Sequence, residues 1–237
     1  MTTKDERIEG LWREAARPLV ARPLWFHEPF APSSIRAILE GRQTVLRRPV
    51  LPLPKGDFVG CGLAPRAQGG YVETFGWNND QTYRDACVFM TCPYGAPGDR
   101  LWVQEEFRLV AWHDGRTPQE ALEHQEAHNG ALPDVEYRTV RKPLPIGEQP
   151  GKWRPAKEMP RWASRIELEV LSVRVERLQD ITESEAVAEG IGSSVTRECK
   201  VPQFADLWNC IYEDENSLTS WDANPWVWRI AFRRTKP

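Results

Sequence analysis

Three clusters of basic residues are the part of this sequence best equipped for chemistry. Arg42, Arg47 and Arg48 fall together. Lys152, Arg154, Lys157, Arg161 and Arg165 form a second group, interleaved with Trp153 and Trp162. Arg229, Arg233, Arg234 and Lys236 form the third. A guanidinium holds phosphate through paired hydrogen bonds, and an indole offers a flat face on which a base stacks. Basic residues interleaved with tryptophan are what a face for single-stranded nucleic acid needs. The same residues also fit a solvated surface over core tryptophans, so residue type alone leaves both readings open. Trp226 and Trp228 fit the core better, because they alternate strictly with Val227 and Arg229.

Other chemistries find less support. His124 and His128 stand four apart in a stretch that reads as helix, so both could face one metal. The segment reads HQEAH, however, which misplaces the glutamate that a zinc hydrolase of HExxH type needs. Cys87 and Cys92 are not a CxxC pair, and no second pair stands at zinc-finger spacing. The expectation is no metal and no cofactor. No nucleophile elbow, phosphate-binding P-loop or dinucleotide fingerprint is present. Gly95 and Gly98 read as a tight turn before a strand.

Composition sets the frame. The 237 residues are 41% hydrophobic and 27% charged, which excludes collagen, coiled coil and wholesale disorder. With 31 basic and 34 acidic residues the net charge is -3, so any nucleic-acid contact must be local. No run approaches the length of a membrane span. The first residues, MTTKDERIEGLWREAARP, lack the apolar core of a secretory signal, and the five cysteines stand at irregular spacing. These features lead to the expectation of a cytoplasmic chain with reduced cysteines and no membrane partner. Tryptophan is abundant, with 11 copies.

Periodicity then assigns the elements. Residues 4–16 read as a helical appendage, ended by Pro18 and Pro23. Pro32 to Gly41 reads as a short helix with a serine cap, followed by a strand over 42–49. Residues 49–84 read as a long excursion with one hairpin near 71–76. Strands are expected at 85–90, 100–107 and 135–140, and a helix at 118–128. Ile166, Leu168 and Val170 alternate with glutamates in a strand over 165–178. Its phase slips at Leu171, which predicts a bulge. Thr182 to Glu185 is a capping box opening a helix at 183–189. A further helix spans 201–212, and Trp226 to Arg233 is a half-buried final strand. Bent strands with short helices between them point to an α+β fold, a compact mixed β-barrel with helices packed on it.

Four runs, taken in order, carry a family resemblance. They are IRAILEGRQTVLRRP, CPYGAPGDRLWVQEEF, KWRPAKEMPRWASRIELEVLSVRVERLQDITESEAVAEGI and FADLWNCIYEDENSLTSWDANPWVWRIAFRR. Together they resemble the ASCH group of the PUA-like superfamily, in the long version found in phages and prophages. The resemblance covers roughly residues 22–237, leaving 1–21 as the appendage. It implies a PUA-like pseudo-barrel with short helices at its rim and a cleft that faces RNA or a nucleotide. Segments 50–84 and 113–150 are then long loop insertions of this version.

One ASCH branch hydrolyses the amide of N4-acetylcytidine with a lysine and threonine in a KTxT pattern and a later glutamate. On this sequence the lysine falls on Gln43, the second threonine on Leu46 and the glutamate on Glu189, while Thr44 keeps the other threonine. Gln43 cannot titrate and Leu46 has no hydroxyl, so that hydrolysis is not expected. The resemblance instead implies a binding cleft built from Arg42, Gln43, Thr44, Arg47, Arg48, Trp102, Glu105 and Glu189. Arginines would hold phosphate, Trp102 or Trp162 would stack a base, and Gln43 would read its edge. Two alternatives stay open. One is a hydrolase acting on modified nucleosides or RNA, with Glu189 and Thr44 as catalytic groups. The other is a phage structural or interaction factor that presents its tryptophans to a protein partner.

Overall fold

A computed structural model describes residues 22–25, 31–54, 56–65, 71–78, 87–139, 144–145, 147–192, 199–212 and 217–235. The expected helix at 4–16 lies outside the described residues. In chain order the elements are β1 (Arg22–Trp25), α1 (Ala31–Leu39), β2 (Val45–Pro49), β3 (Asp57–Pro65), β4 (Tyr71–Asn78), β5 (Cys87–Met90), β6 (Arg100–Gln104) and β7 (Phe107–Arg108). There follow α2 (Pro118–Asn129), β8 (Glu136–Tyr137), β9 (Glu167–Arg177), α3 (Glu183–Ala188), α4 (Lys200–Tyr212) and β10 (Trp226–Arg234). The fold is α+β. No sheet among the described residues closes into a barrel. No helix among them is long and apolar enough to cross a membrane.

The chain divides into two compact units. The first takes the described residues of Thr44–Arg100 and Glu169–Arg233. In it β9, β10 and β2 lie side by side in that order. β10 runs antiparallel to β2, with Ile230 opposite Leu46 and Arg229 opposite Arg47. Every residue of β2 is buried, although the sequence VLRRP puts two arginines in it. A second sheet, β3-β4-β5, is an antiparallel meander. Its aromatic side chains meet those of β10. Phe75 lies edge-on to Trp228 at 5.1 Å between ring centroids, and Trp77 to Trp226 at 6.4 Å. Such edge contacts are the favoured aromatic arrangement.

The long β3–β4 hairpin was expected only as a short one near 71–76. Glycines at 60, 62 and 76 interrupt the alternation that marks a strand, and each has a structural cause. Gly60 sits at a register shift with a φ of 141°. A Cβ on Gly76 would stand 2.7 Å from the Phe89 ring, so only glycine leaves room for that ring on the strand. From just before β9 the buried apolar positions run Ile166, Leu168, Val170 and then Val173, with Glu167 buried as well. The phase slips as expected from the sequence, but Leu171 faces out at 48% exposure rather than joining the new face.

The helices of this unit follow their sequence signals. Thr182 accepts from the Glu185 amide while Glu185 accepts from the Thr182 amide, so the capping box forms. Phe204, Trp208 and Tyr212, spaced by four on α4, are buried against Leu178, Ile181, Ala186 and Val227.

The second unit takes the described residues of Pro23–Gln43 and Leu101–Leu168, with Arg234 and Thr235. β1 lies beside β6, and β7 pairs antiparallel with β8. α1 ends in a Schellman turn: Gly41 donates to the Ile38 carbonyl and Arg42 to that of Ala37, with Gly41 at a φ of 73°. α2 opens on a capping box of Thr117 and Glu120 and ends at Gly130, which is left-handed.

Trp77 is fully buried at the centre of the aromatic cluster. Trp77→Ala is expected to destabilise the protein by about 3–5 kcal/mol. Urea unfolding measures this, and a loss under about 1 kcal/mol would show that the cluster is not a core.

Candidate functional site

The densest cluster of charge in the first unit is centred on Arg47. Its guanidinium is fully buried, and a bare buried charge is costly, so the fold surrounds it with carboxylates. Nε donates to Glu176 Oε1 at 2.8 Å, and Nη1 donates to Glu189 Oε1 at 3.0 Å. Nη2 donates to Glu185 Oε2 at 3.0 Å and also to Glu176. β9 supplies Glu176, α3 supplies Glu185, and Glu189 caps α3. The cap is anchored through the backbone: the Thr44 amide donates to the Ala188 carbonyl at 2.9 Å.

Arg229 stands directly opposite Arg47 on β10. Like charges in that position repel, and Glu185 lies between them, accepting from Arg229 Nε at 2.9 Å. Burial pushes the Glu185 carboxyl up, but the Thr182 amide and the Arg47 and Arg229 guanidiniums outweigh it and hold it below the usual range. For Glu189 burial wins. It lifts the carboxyl above the usual range against the attraction of Arg47 and Arg48. Arg48 is buried too and donates to the Tyr212 hydroxyl at 2.9 Å. Burial lowers its affinity for the proton, but Tyr212, Tyr94 and Glu189 together raise it above the ordinary arginine value.

The residues expected to form one cleft are therefore distributed as follows. Thr44, Arg47, Arg48 and Glu189 belong to the first unit, where Arg47 and Glu189 bond directly. Thr44 is exposed. Arg47, expected to hold phosphate, holds glutamates instead, with four hydrogen bonds from its five donors. Arg42, Gln43, Trp102, Glu105 and Trp162 belong to the second unit. Arg42 is exposed and paired with Glu40, while Gln43 and Trp102 are buried. Glu105 is 1% exposed and takes Arg165 in a two-pronged pair, both contacts 2.8 Å. Burial raises its carboxyl against Arg165 and the Thr139 side chain.

In the same unit arginine guanidiniums stand over aromatic rings. The Arg165 guanidinium is 4.0 Å from the Tyr137 ring centroid. Arg108 and Arg138 stand 4.6 and 5.6 Å from that of Trp153. Tyr137 donates to the Ala163 carbonyl at 2.8 Å, and burial together with Glu105 pushes its hydroxyl up to about 12. Trp162 lines a cavity of about 270 Å³ with Tyr137 and Asp134. His124 and His128 stack at 4.4 Å, and among the described residues no group of three or more possible ligands is placed to hold a metal.

Sequence reasoning missed Glu176, Glu185 as an ion-pair partner, Tyr137 and Asp134, and it grouped Arg229 with Arg233, Arg234 and Lys236 rather than with Arg47. The available signal was the pair of arginines inside an apolar strand, which must find carboxylates. Nothing local said which ones. Compared with protein-family models, with curated proteins and with solved structures, the chain matches none.

Removing Arg47 would leave Glu189 buried without its partner. Arg47→Met is expected to cost about 3–5 kcal/mol near neutrality, and adding Glu189→Gln should recover part of it. The sign with pH follows from the raised Glu189 carboxyl. The stability it contributes is fully present below the ordinary glutamate value of about 4.3 and is lost as pH rises through the folded value. The penalty of Arg47→Met should accordingly be smaller at about pH 5 than near neutrality. Urea unfolding at both pH values decides, and equal penalties would contradict a buried, charged Glu189.

Proposed function

We propose that this chain binds RNA or a nucleotide, as a PUA-like protein of the ASCH group. The order of the four resembling sequence runs supports the family and its barrel. The observation that carries the binding reading is the placement of arginine guanidiniums over aromatic rings in the second unit. Arg138 lies over Trp153, and its side chain is 54% exposed. Its one ion pair among the described residues, to Glu106 at 3.1 Å, is a surface pair of small worth. A phosphate competes readily for such an arginine, and the planar groups beside it accept a base. Acetylcytidine hydrolysis is not part of the proposal, because Gln43 and Leu46 supply neither base nor nucleophile.

One observation favours a second reading, a hydrolase of modified nucleosides or RNA. Glu189 is a buried carboxyl held above its usual range, a property general acids and bases share. That reading requires turnover, and Glu189→Gln should abolish it in a folded protein.

Intrinsic tryptophan fluorescence titrated with a short single-stranded RNA tests the binding proposal. A saturable change that weakens steeply with salt is expected. Arg138→Ala should weaken binding by about 1–3 kcal/mol. A flat titration at low salt would overturn the proposal.

A further inference from the structure

We propose that the cavity beside Tyr137 and Trp162 takes a nucleobase bearing an exocyclic amino group. The inference rests on the RNA- or nucleotide-binding reading above and names what part of that ligand is recognised. At about 270 Å³ the cavity falls just below the roughly 300–1,000 Å³ of sites for drug-sized molecules. That size suits one flat ring system rather than a whole dinucleotide. Its walls are the two aromatics with Leu132, Val135 and Leu144. These are surfaces for a planar, weakly polar body.

The polar groups define the edge of that body. Among the described residues Asp134 is the single charged one lining the cavity. A carboxylate only accepts hydrogen bonds, so the ligand must donate, and a phosphate is repelled. Cytosine, adenine and guanine donate through an amino group, whereas uracil presents a carbonyl at the corresponding place. Trp162 adds a second aromatic wall, against which the face of a base can lie. The Tyr137 ring is already fixed, by its bond to Ala163 and by Arg165 lying over it. A wall that is rigid before binding loses little entropy when the ligand arrives.

The test uses the full chain with four nucleotides in two matched pairs, CMP against UMP and AMP against IMP. Each pair exchanges an amino group for a carbonyl. Calorimetric titration should show the amino member binding about tenfold tighter. Asp134→Asn, which both donates and accepts, should bring each pair within about twofold. Asp134 is exposed, so its replacement should leave the thermal midpoint unchanged. Nucleotide or RNA binding without the amino preference, or a preference that survives Asp134→Asn, would overturn the cavity assignment and leave the broader binding reading standing. No binding of any nucleotide or of single-stranded RNA would overturn both.

Discussion

Arg47 is a full positive charge in the middle of a strand whose every residue is buried. Much of the first unit is arranged around that fact. A buried guanidinium must meet carboxylates with good geometry, or the strand cannot be buried. The glutamates come from three places: Glu176 from β9, Glu185 from within α3 and Glu189 from its end. The requirement therefore fixes where α3 sits, how its last turn meets Thr44, and why Arg229 can lie across from Arg47 without driving the strands apart. The capping box that begins α3 belongs to the same network, since Glu185 serves the helix amide and both arginines.

Arg47 and Arg48 of the first unit and Arg138 of the second are used in opposite ways, although Arg177 of the first unit also lies over a ring, that of Trp226, and Arg165 of the second is also paired with buried Glu105. In the first, Arg47 and Arg48 point inward and their hydrogen bonds go to protein acceptors. In the second, Arg165 and Arg138 lie on aromatic rings, and Arg138 reaches solvent. Charge that is neutralised internally specifies structure, whereas an exposed guanidinium over a half-buried aromatic, as at Arg138, stays available to an anion. This contrast moves the weight of the functional reading from the RRP segment of β2 to the segment between Asp134 and Arg165.

What was legible in the sequence was local. The Thr182 capping box, the glycine that ends α1, the four-residue spacing on α4 and the alternation of β10 all depend on neighbours within a few positions. Each formed as its pattern indicates, except that β10 buries Val227 beside Trp228 before the alternation sets in. The β3–β4 hairpin was obscured because its glycines erase alternation for reasons that exist only in three dimensions, such as the Phe89 ring lying over Gly76. The candidate site was less legible still. Arg47 and its glutamates lie 129 to 142 positions apart. Asp134 and Tyr137 fall in a stretch whose only sequence signal was a weak strand, and their relation to Trp162 arises from folding alone.

The central claim is that ligand meets the arginine–aromatic face of the second unit and not the buried arginines of the first. Amide hydrogen exchange, with and without a saturating short single-stranded RNA, tests it directly. The account predicts slowed exchange in residues 132–139 and 152–165, with β2 and α3 unchanged. Protection confined to β2 and α3 would contradict it, and would place the ligand on the Arg47 network instead.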